Sequence, residues 1–294
     1  MTIQTAQTIH KKALHLNQIG EEFTLIKINN TLKLQSKYYG NISSQGNKKI
    51  PPMELGFIRR VKNHILKHQI YANFISNFYY PEDIDYVSIM KHDKTVKIDN
   101  VIEIDIDEAY WKTAHILNVL SDHLYEEGRK SNGKISKLGR LISLGSLAKK
   151  KIIYYFKGSR LMKKETQRSL TTENIWYSIC KRLSDVMNEA REIAGKDFIM
   201  YWVDGIYIKN EPELVEKIRQ SFTKYGYDVK FRDNLSVKYT KDRVYIQDKT
   251  TNKERSFFIP KKDIRKSFFS DPELKEVALK YSNYVSLNDN NIEP

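Results

Sequence analysis

Apolar and polar residues alternate along FTLIKINNTLKLQSKYY (23–39) about Asn29-Asn30, the period-two pattern of a β-hairpin. Residues 40–52, GNISSQGNKKIPP, carry loop composition. From 53 to 78 the period changes: Ile58, Val61, Ile65, Leu66, Ile70 and Phe74 recur at helical spacing. DNVIEIDID (99–107) reads as a short strand, followed by a helix from about Glu108 to Gly128, another over about 135–150, and a strand, IIYYF, at 152–156. The clearest helix spans 173–194, where Ile175, Ile179, Leu183, Val186 and Ala190 share a face and Gly195 ends it. Cys180 lies close to that face and reads as packing. FIMYWV and IYIK flank Asp204-Gly205 as a hairpin with a two-residue turn. A helix at 211–224 and strands at 227–232, 235–239 and 243–247 follow, and the last 30 residues read as helix and polar tail. This order implies an α+β fold with a mainly antiparallel sheet and helices on one face.

Composition narrows the function classes. Of 294 residues, 40% are hydrophobic and 12% aromatic, enough to bury a core. Fifty Lys and Arg against 36 Asp and Glu give a formal charge of +14, which points to a polyanionic partner, nucleic acid first and an acidic membrane surface second. The single cysteine excludes an internal disulfide framework and a cysteine zinc site, and fits a reducing compartment. His64 and His68 are spaced for a shared metal but have no third candidate ligand nearby. No apolar run approaches the roughly 18 residues that span a bilayer. The start, MTIQTAQTIHKK, lacks the apolar stretch of a secretory signal. The expectation is a soluble, cytoplasmic protein without a membrane partner.

Candidate chemistry begins with strand parity. Ile102, Ile104 and Ile106 point into a core, so Glu103, Asp105 and Asp107 point to the opposite face. Three carboxylates on one face repel one another unless cations lie between them, although an edge strand with a solvated acidic face would show the same pattern. Asp204 stands at the tip of an apolar hairpin, where Asp-Gly also serves as an ordinary turn. A carboxylate at a hairpin tip beside a carboxylate-bearing strand suits two-metal phosphoryl transfer. Between the two motifs, Arg129 to Arg168 holds 13 Lys and Arg and one acid, Glu165. Lys137 and Arg140 share a helix face, with Lys134 one turn earlier, and such a face can bind a triphosphate or a nucleic-acid backbone.

In these segments the chain resembles the palm and fingers of family B DNA polymerases, especially the protein-primed viral branch. That family's motif A, D-x-x-S-L-Y-P, is similar to Asp105-Ile-Asp-Glu-Ala-Tyr110-Trp111, with Glu108 and Trp111 in place of Ser and Pro. Motif B, roughly K-L-x-x-N-S-x-Y-G, is similar to 137–145, which keeps Lys137, Leu138 and Gly145 and lacks the Asn and Tyr. Motif C, Y-x-D-T-D-S, is similar to MYWVDGI, where Trp202 stands at the first Asp position and Asp204 at the second. The K-x-Y primer-strand motif resembles Arg243-Val-Tyr245, with Lys238-Tyr239 an earlier candidate.

The resemblance covers about 99–250. It implies a palm there with a short fingers insertion at about 108–150, an N-terminal α+β region over 1–98, and a reduced thumb-like region and tail over 251–294. It further implies a small viral or phage DNA polymerase, with a pair of Mg²⁺ ions, replaceable by Mn²⁺, held by Asp105 and Asp204 and by the Ile106 carbonyl. Lys137, Arg140 and Lys134 would bind the triphosphate, and Tyr110 would exclude ribonucleotides. Arg243, Tyr245, Lys238, Lys149, Lys150 and Lys151 would hold DNA. The implied partners are primer-template DNA, deoxynucleotides and a priming or replication protein. Residues 1–98 contain no D-x-E pair, so proofreading is not expected. An inactive palm-derived nucleic-acid-binding or scaffold protein, and a primase or terminal transferase, are the alternatives.

Overall fold

The computed structural model describes residues 3–28, 31–44, 51–67, 84–90, 94–149, 151–167 and 169–259. They form two compact units, each assembled from separated stretches of chain. Among the described residues, the first takes those up to Met53 and Ser146–Glu173, and the second takes Glu54–Gly145 and those from Asn174 to residue 259. The boundaries therefore differ from the expected ones at 98 and 250. Antiparallel sheets and, among the described residues, seven α-helices make up an α+β fold. No described helix is long and apolar enough to cross a membrane.

In the first unit, Thr5 caps helix α1 (Ala6–Gln18) by accepting from the Thr8 N–H. Ile9, Ala13 and Leu16 recur on the buried face of α1 and pack on Phe23, Leu25, Leu34 and Ile42. The sheet beneath has the order β1 (Ile3–Gln4), β4 (Gly40–Ser44), β3 (Thr31–Ser36), β2 (Glu22–Ile28), β7 (Lys151–Lys157), β8 (Arg160–Gln167). Only the β1–β4 pair is parallel. The hairpin expected over 23–39 is present as β2 and β3. The strand expected at 152–156 is also present, but in this sheet and not in that of the carboxylates.

The second unit is built on a sheet that is antiparallel throughout. Its order is β13 (Lys253–Phe258), β12 (Arg243–Asp248), β11 (Val229–Tyr239), β6 (Val96–Ile106), β10 (Gly205–Lys209), β9 (Phe198–Trp202), β5 (Val87–Ile89). Ile102, Ile104, Ile106, Ile206 and Ile208 face α6 (Leu170–Ala194) and α7 (Pro212–Lys224), packing on Leu183, Val186, Met187, Ile218 and Phe222. All five apolar positions expected on the 173–194 helix are buried, as is Cys180.

The opposite face is not solvated. Asn100 and Asn234 take left-handed φ of 56° and 57°, and the β6–β11 register shifts there, which bends both strands. The bend lets β12 and β13 curl over the face, so that the Phe257 ring lies 4.6 Å from that of Trp202. Val101, Tyr207, Val237 and Ile246 fill the space between. The two strands expected at 227–232 and 235–239 are thus one bent strand; β4 falls within the expected loop at 40–52, and α1, β1, β5, β8 and β13 were not anticipated.

Helices α3 (Ala109–Ile116), α4 (Asp122–Gly128) and α5 (Lys137–Gly145) follow β6. The single helix expected from 108 to 128 breaks because Asn118 turns left-handed (φ 57°) and Ser121 caps a new start through the Leu124 N–H. Helix α2 (Pro52–Lys67) buries Phe57, Val61 and Ile65, while Leu66, expected on that face, is exposed. Ile70, Phe74 and His68 lie outside the described residues. Glu54 of α2 accepts the Ser136 N–H at 3.1 Å at the start of α5, and Phe57 packs on Trp111 of α3.

Candidate active site

Asp105 is the penultimate residue of β6, the central strand, and sits between Gly205 of β10 and Lys230 of β11. Trp202 pairs with Gly205, so the two turn residues are Val203 and Asp204, one position earlier than the expected Asp204-Gly205. Ile106 N–H donates to the Asp204 carbonyl at 2.9 Å, which fixes the hairpin tip against the end of β6. A Cβ at position 205 would lie 3.3 Å from Asp105 Oδ1 and 3.5 Å from Glu103 Oε1; glycine leaves room for both carboxylates.

Val203 holds the tip in an unusual way. Its φ is 60°, a region a β-branched residue rarely occupies, and its N–H donates to the Tyr86 carbonyl at 2.7 Å. Val203→Gly is expected to stabilise the protein by about 1 kcal/mol, strain relief outweighing the added chain entropy. Thermal unfolding checks this: a melting temperature at or below that of the parent would mean that the valyl contacts outweigh the strain.

The acids of this region fall into two groups. Glu103 is buried and is met by Arg232 at 2.7 Å, Arg255 at 3.0 Å and the Tyr207 hydroxyl. Asp107 pairs with Lys230, and Glu108 with Arg140 at 3.3 Å. Asp105 and Asp204 form no ion pair with any described residue. Burial, then repulsion from Asp204 and Glu103, pushes the Asp105 carboxyl up to about 6, with Lys137 and Lys230 opposing. Burial raises Asp204 as well, opposed by its backbone N–H and by Lys137.

These two carboxylates line a cleft of about 360 Å³ together with Ile106, Tyr110, Lys130, Lys137 and Lys230. Lys137 is exposed and forms no ion pair with a described residue. The Tyr110 ring stacks on Trp176 at 5.3 Å and also borders the cleft.

Other expected site residues are placed differently. Arg140 lines the cleft but is buried: Nη1 donates to the Gly128 and Ile135 carbonyls at 3.0 and 3.1 Å, and Nη2 meets Glu108. Its guanidinium ties the helical insertion together instead of being presented to a phosphate. Lys134 is exposed and does not line the cleft. Lys238 pairs with Tyr245 and with Lys97, eight positions before Asp105, about 25 Å along the strand at 3.3 Å per residue. Arg243 lies over the Phe258 ring at 3.8 Å and donates to Ser256. Lys238, Arg243 and Tyr245 are therefore not brought to the carboxylates. Lys149 and Lys151 belong to the first unit, and Lys150 lies outside the described residues.

Lys230, Arg232 and Arg255 were not identified from the sequence, although a signal for the first two exists. Glu103-Ile-Asp105 and Lys230-Phe-Arg232 alternate with opposite charge, and antiparallel pairing sets Lys230 against Asp105 and Arg232 against Glu103.

The donor chemistry suits a hard divalent cation. Mg²⁺ binds one or two protein carboxylates and completes its shell with phosphate and water, and the cleft offers two partly buried carboxylates that raise each other's energy. Among the described residues no group of three or more His, Cys, Asp and Glu is placed to hold a metal ion. Compared with known proteins, the sequence matches no family model and no curated protein.

Proposed function

We propose that the protein is a small, non-proofreading, template-dependent DNA polymerase of viral or phage origin, with a palm like that of family B enzymes in its second unit. One observation carries the reading: Asp105 at the end of β6 and Asp204 in the β9–β10 turn converge on one cleft and form no ion pair with a described residue, while Glu103, Asp107 and Glu108 each do. Asp105, Asp204 and the Ile106 carbonyl would hold Mg²⁺, which supplies charge stabilisation for phosphoryl transfer. Lys137 directs its ammonium toward the triphosphate, Lys130 adds a second cation at the rim, and Tyr110 lies where the sugar would pass. Primer-template DNA, deoxynucleotides and a priming or replication protein are the proposed partners, in the host cytoplasm.

Primer extension with each nucleotide supplied singly tests the reading. The expected result is Mg²⁺-dependent addition of the base that complements the template. Addition without regard to template would place the chain among terminal transferases, and primer-free synthesis among primases. No addition of any nucleotide, with DNA binding intact, would favour an inactive nucleic-acid-binding palm. Trp202 supports that second reading, since it occupies the first acidic position of the family's motif C and packs on Phe257.

Tyr110→Ala is expected to retain polymerisation and to lose more than about tenfold of the preference for dNTP over rNTP, because the ring would collide with a 2′-hydroxyl. Parallel incorporation assays check this. An unchanged preference with lowered stability would assign Tyr110 to packing on Trp176 alone.

A further inference from the structure

The turn between β3 and β4 in the first unit presents an aromatic ring outward. Tyr38 is 61% exposed, far more than an aromatic ring needs for packing. It meets Tyr39 edge-on at 4.8 Å and His15 of α1 at 5.4 Å. Tyr39 in turn is held from three directions. Its N–H donates to Ser36 Oγ at 2.9 Å, its hydroxyl bonds His15 Nδ1 at 2.9 Å, and the Lys12 ammonium lies 4.5 Å above its ring. Tyr38 thus stands on a fixed base with ring surface left to solvent. Lys37 precedes it in the turn and Lys12 lies over the neighbouring Tyr39 ring, and neither forms an ion pair with a described residue.

A positioned, exposed ring among unpaired cations has the chemistry of a base-stacking platform with phosphate contacts. We propose that Tyr38, with Lys12 and Lys37, forms a binding site for single-stranded nucleic acid in the first unit. The ring stacks on one base, and the ammonium groups meet the flanking phosphates. None of these residues lines the carboxylate cleft, so the site stands or falls independently of nucleotidyl transfer. A duplex, whose bases are already stacked, can use the cations but not the ring.

The test is fluorescence anisotropy of the full chain with labelled dT₂₀ and U₂₀, in EDTA so that no chemistry intervenes. Tyr38→Ala is expected to weaken binding roughly 5- to 150-fold at constant salt, with Tyr38→Phe close to the parent. Lys12→Ala with Lys37→Ala is expected to flatten the slope of log affinity against log salt by about 1.4, whereas Tyr38→Ala leaves that slope unchanged. Equal losses on dT₂₀ and U₂₀ identify stacking and phosphate as the recognised features; loss on one alone adds recognition of the sugar or of the thymine methyl to the same site. The proposal is overturned if Tyr38→Ala binds both oligonucleotides as tightly as the parent. It is equally overturned if a blunt duplex of the same length shows the same loss. Circular dichroism of the Tyr38 variants confirms that the fold is kept, as expected for a surface ring.

Discussion

Asp105→Asn and Asp204→Asn are each expected to lower Mg²⁺-dependent incorporation by about 10²- to 10³-fold or more while leaving DNA affinity near its parental value. On the proposed reading the carboxylates would hold the metal that stabilises charge developing in the transition state, whereas backbone affinity would come from the basic surface. The same substitutions are expected to stabilise the cation-free protein. An acid raised from 3.8 to about 6 on folding binds its proton more tightly in the native state than in the unfolded one. Stability is therefore greatest below the unfolded value and declines as pH rises from about 4 through about 6. Asparagine removes that decline. Because Asp105 is only partly buried, solvent screening reduces the gain to about 1 kcal/mol at pH 7.5, some 2–4 °C in melting temperature. Added Mg²⁺ should raise the parent's melting temperature and leave that of Asp105→Asn unmoved. Incorporation assays and melting curves at pH 4.5 and 7.5 check both halves. A variant that loses both activity and stability would indicate a structural role for the carboxylate.

The second large effect is expected at Arg140. Its side chain is 8% exposed, and its guanidinium joins α5 to the end of α4 through the Gly128 carbonyl, and to the start of α3 through Glu108. Arg140→Met leaves two carbonyls and a Glu108 side chain, itself 10% exposed, without their cation. Loss of one partner from such a buried pair costs about 3–5 kcal/mol. Urea unfolding of Arg140→Met should show that loss, and Glu108→Gln combined with it should recover part. A variant with parental stability and a raised KM for nucleotide would return Arg140 to the phosphate-binding role that its spacing from Lys137 suggests.

The arginine illustrates what the sequence conveyed and what it did not. Helical spacing placed Lys137 and Arg140 on one face, and both do line the cleft. Spacing alone does not say which cation is exposed, because that depends on carbonyls and a carboxylate arriving from α3 and α4. Strand parity assigned Ile102, Ile104 and Ile106 to one face and Glu103 and Asp105 to the other, and the sheet agrees, since parity is local. The state of those carboxylates was not local. Glu103 is neutralised by Arg255, 152 positions away, which reaches it only because Asn100 and Asn234 bend the strands and β13 curls over. The basic block of 129–168 is continuous in sequence, yet the chain passes between units at about Ser146, dividing its cations between two folds. Lys238, Arg243 and Tyr245 fitted a primer-strand motif in order and spacing, but the pairing register carries them away from Asp105.

The central claim is that Asp105 and Asp204 share a divalent cation at which a nucleotide reacts. Anomalous diffraction from crystals grown with Mn²⁺, primer-template DNA and a non-hydrolysable deoxynucleotide tests it most directly. The expected result is anomalous density between the two carboxylates, with the triphosphate extending toward Lys137. Bound nucleotide with no anomalous density at Asp105 and Asp204, or Mn²⁺ held elsewhere, would contradict the claim.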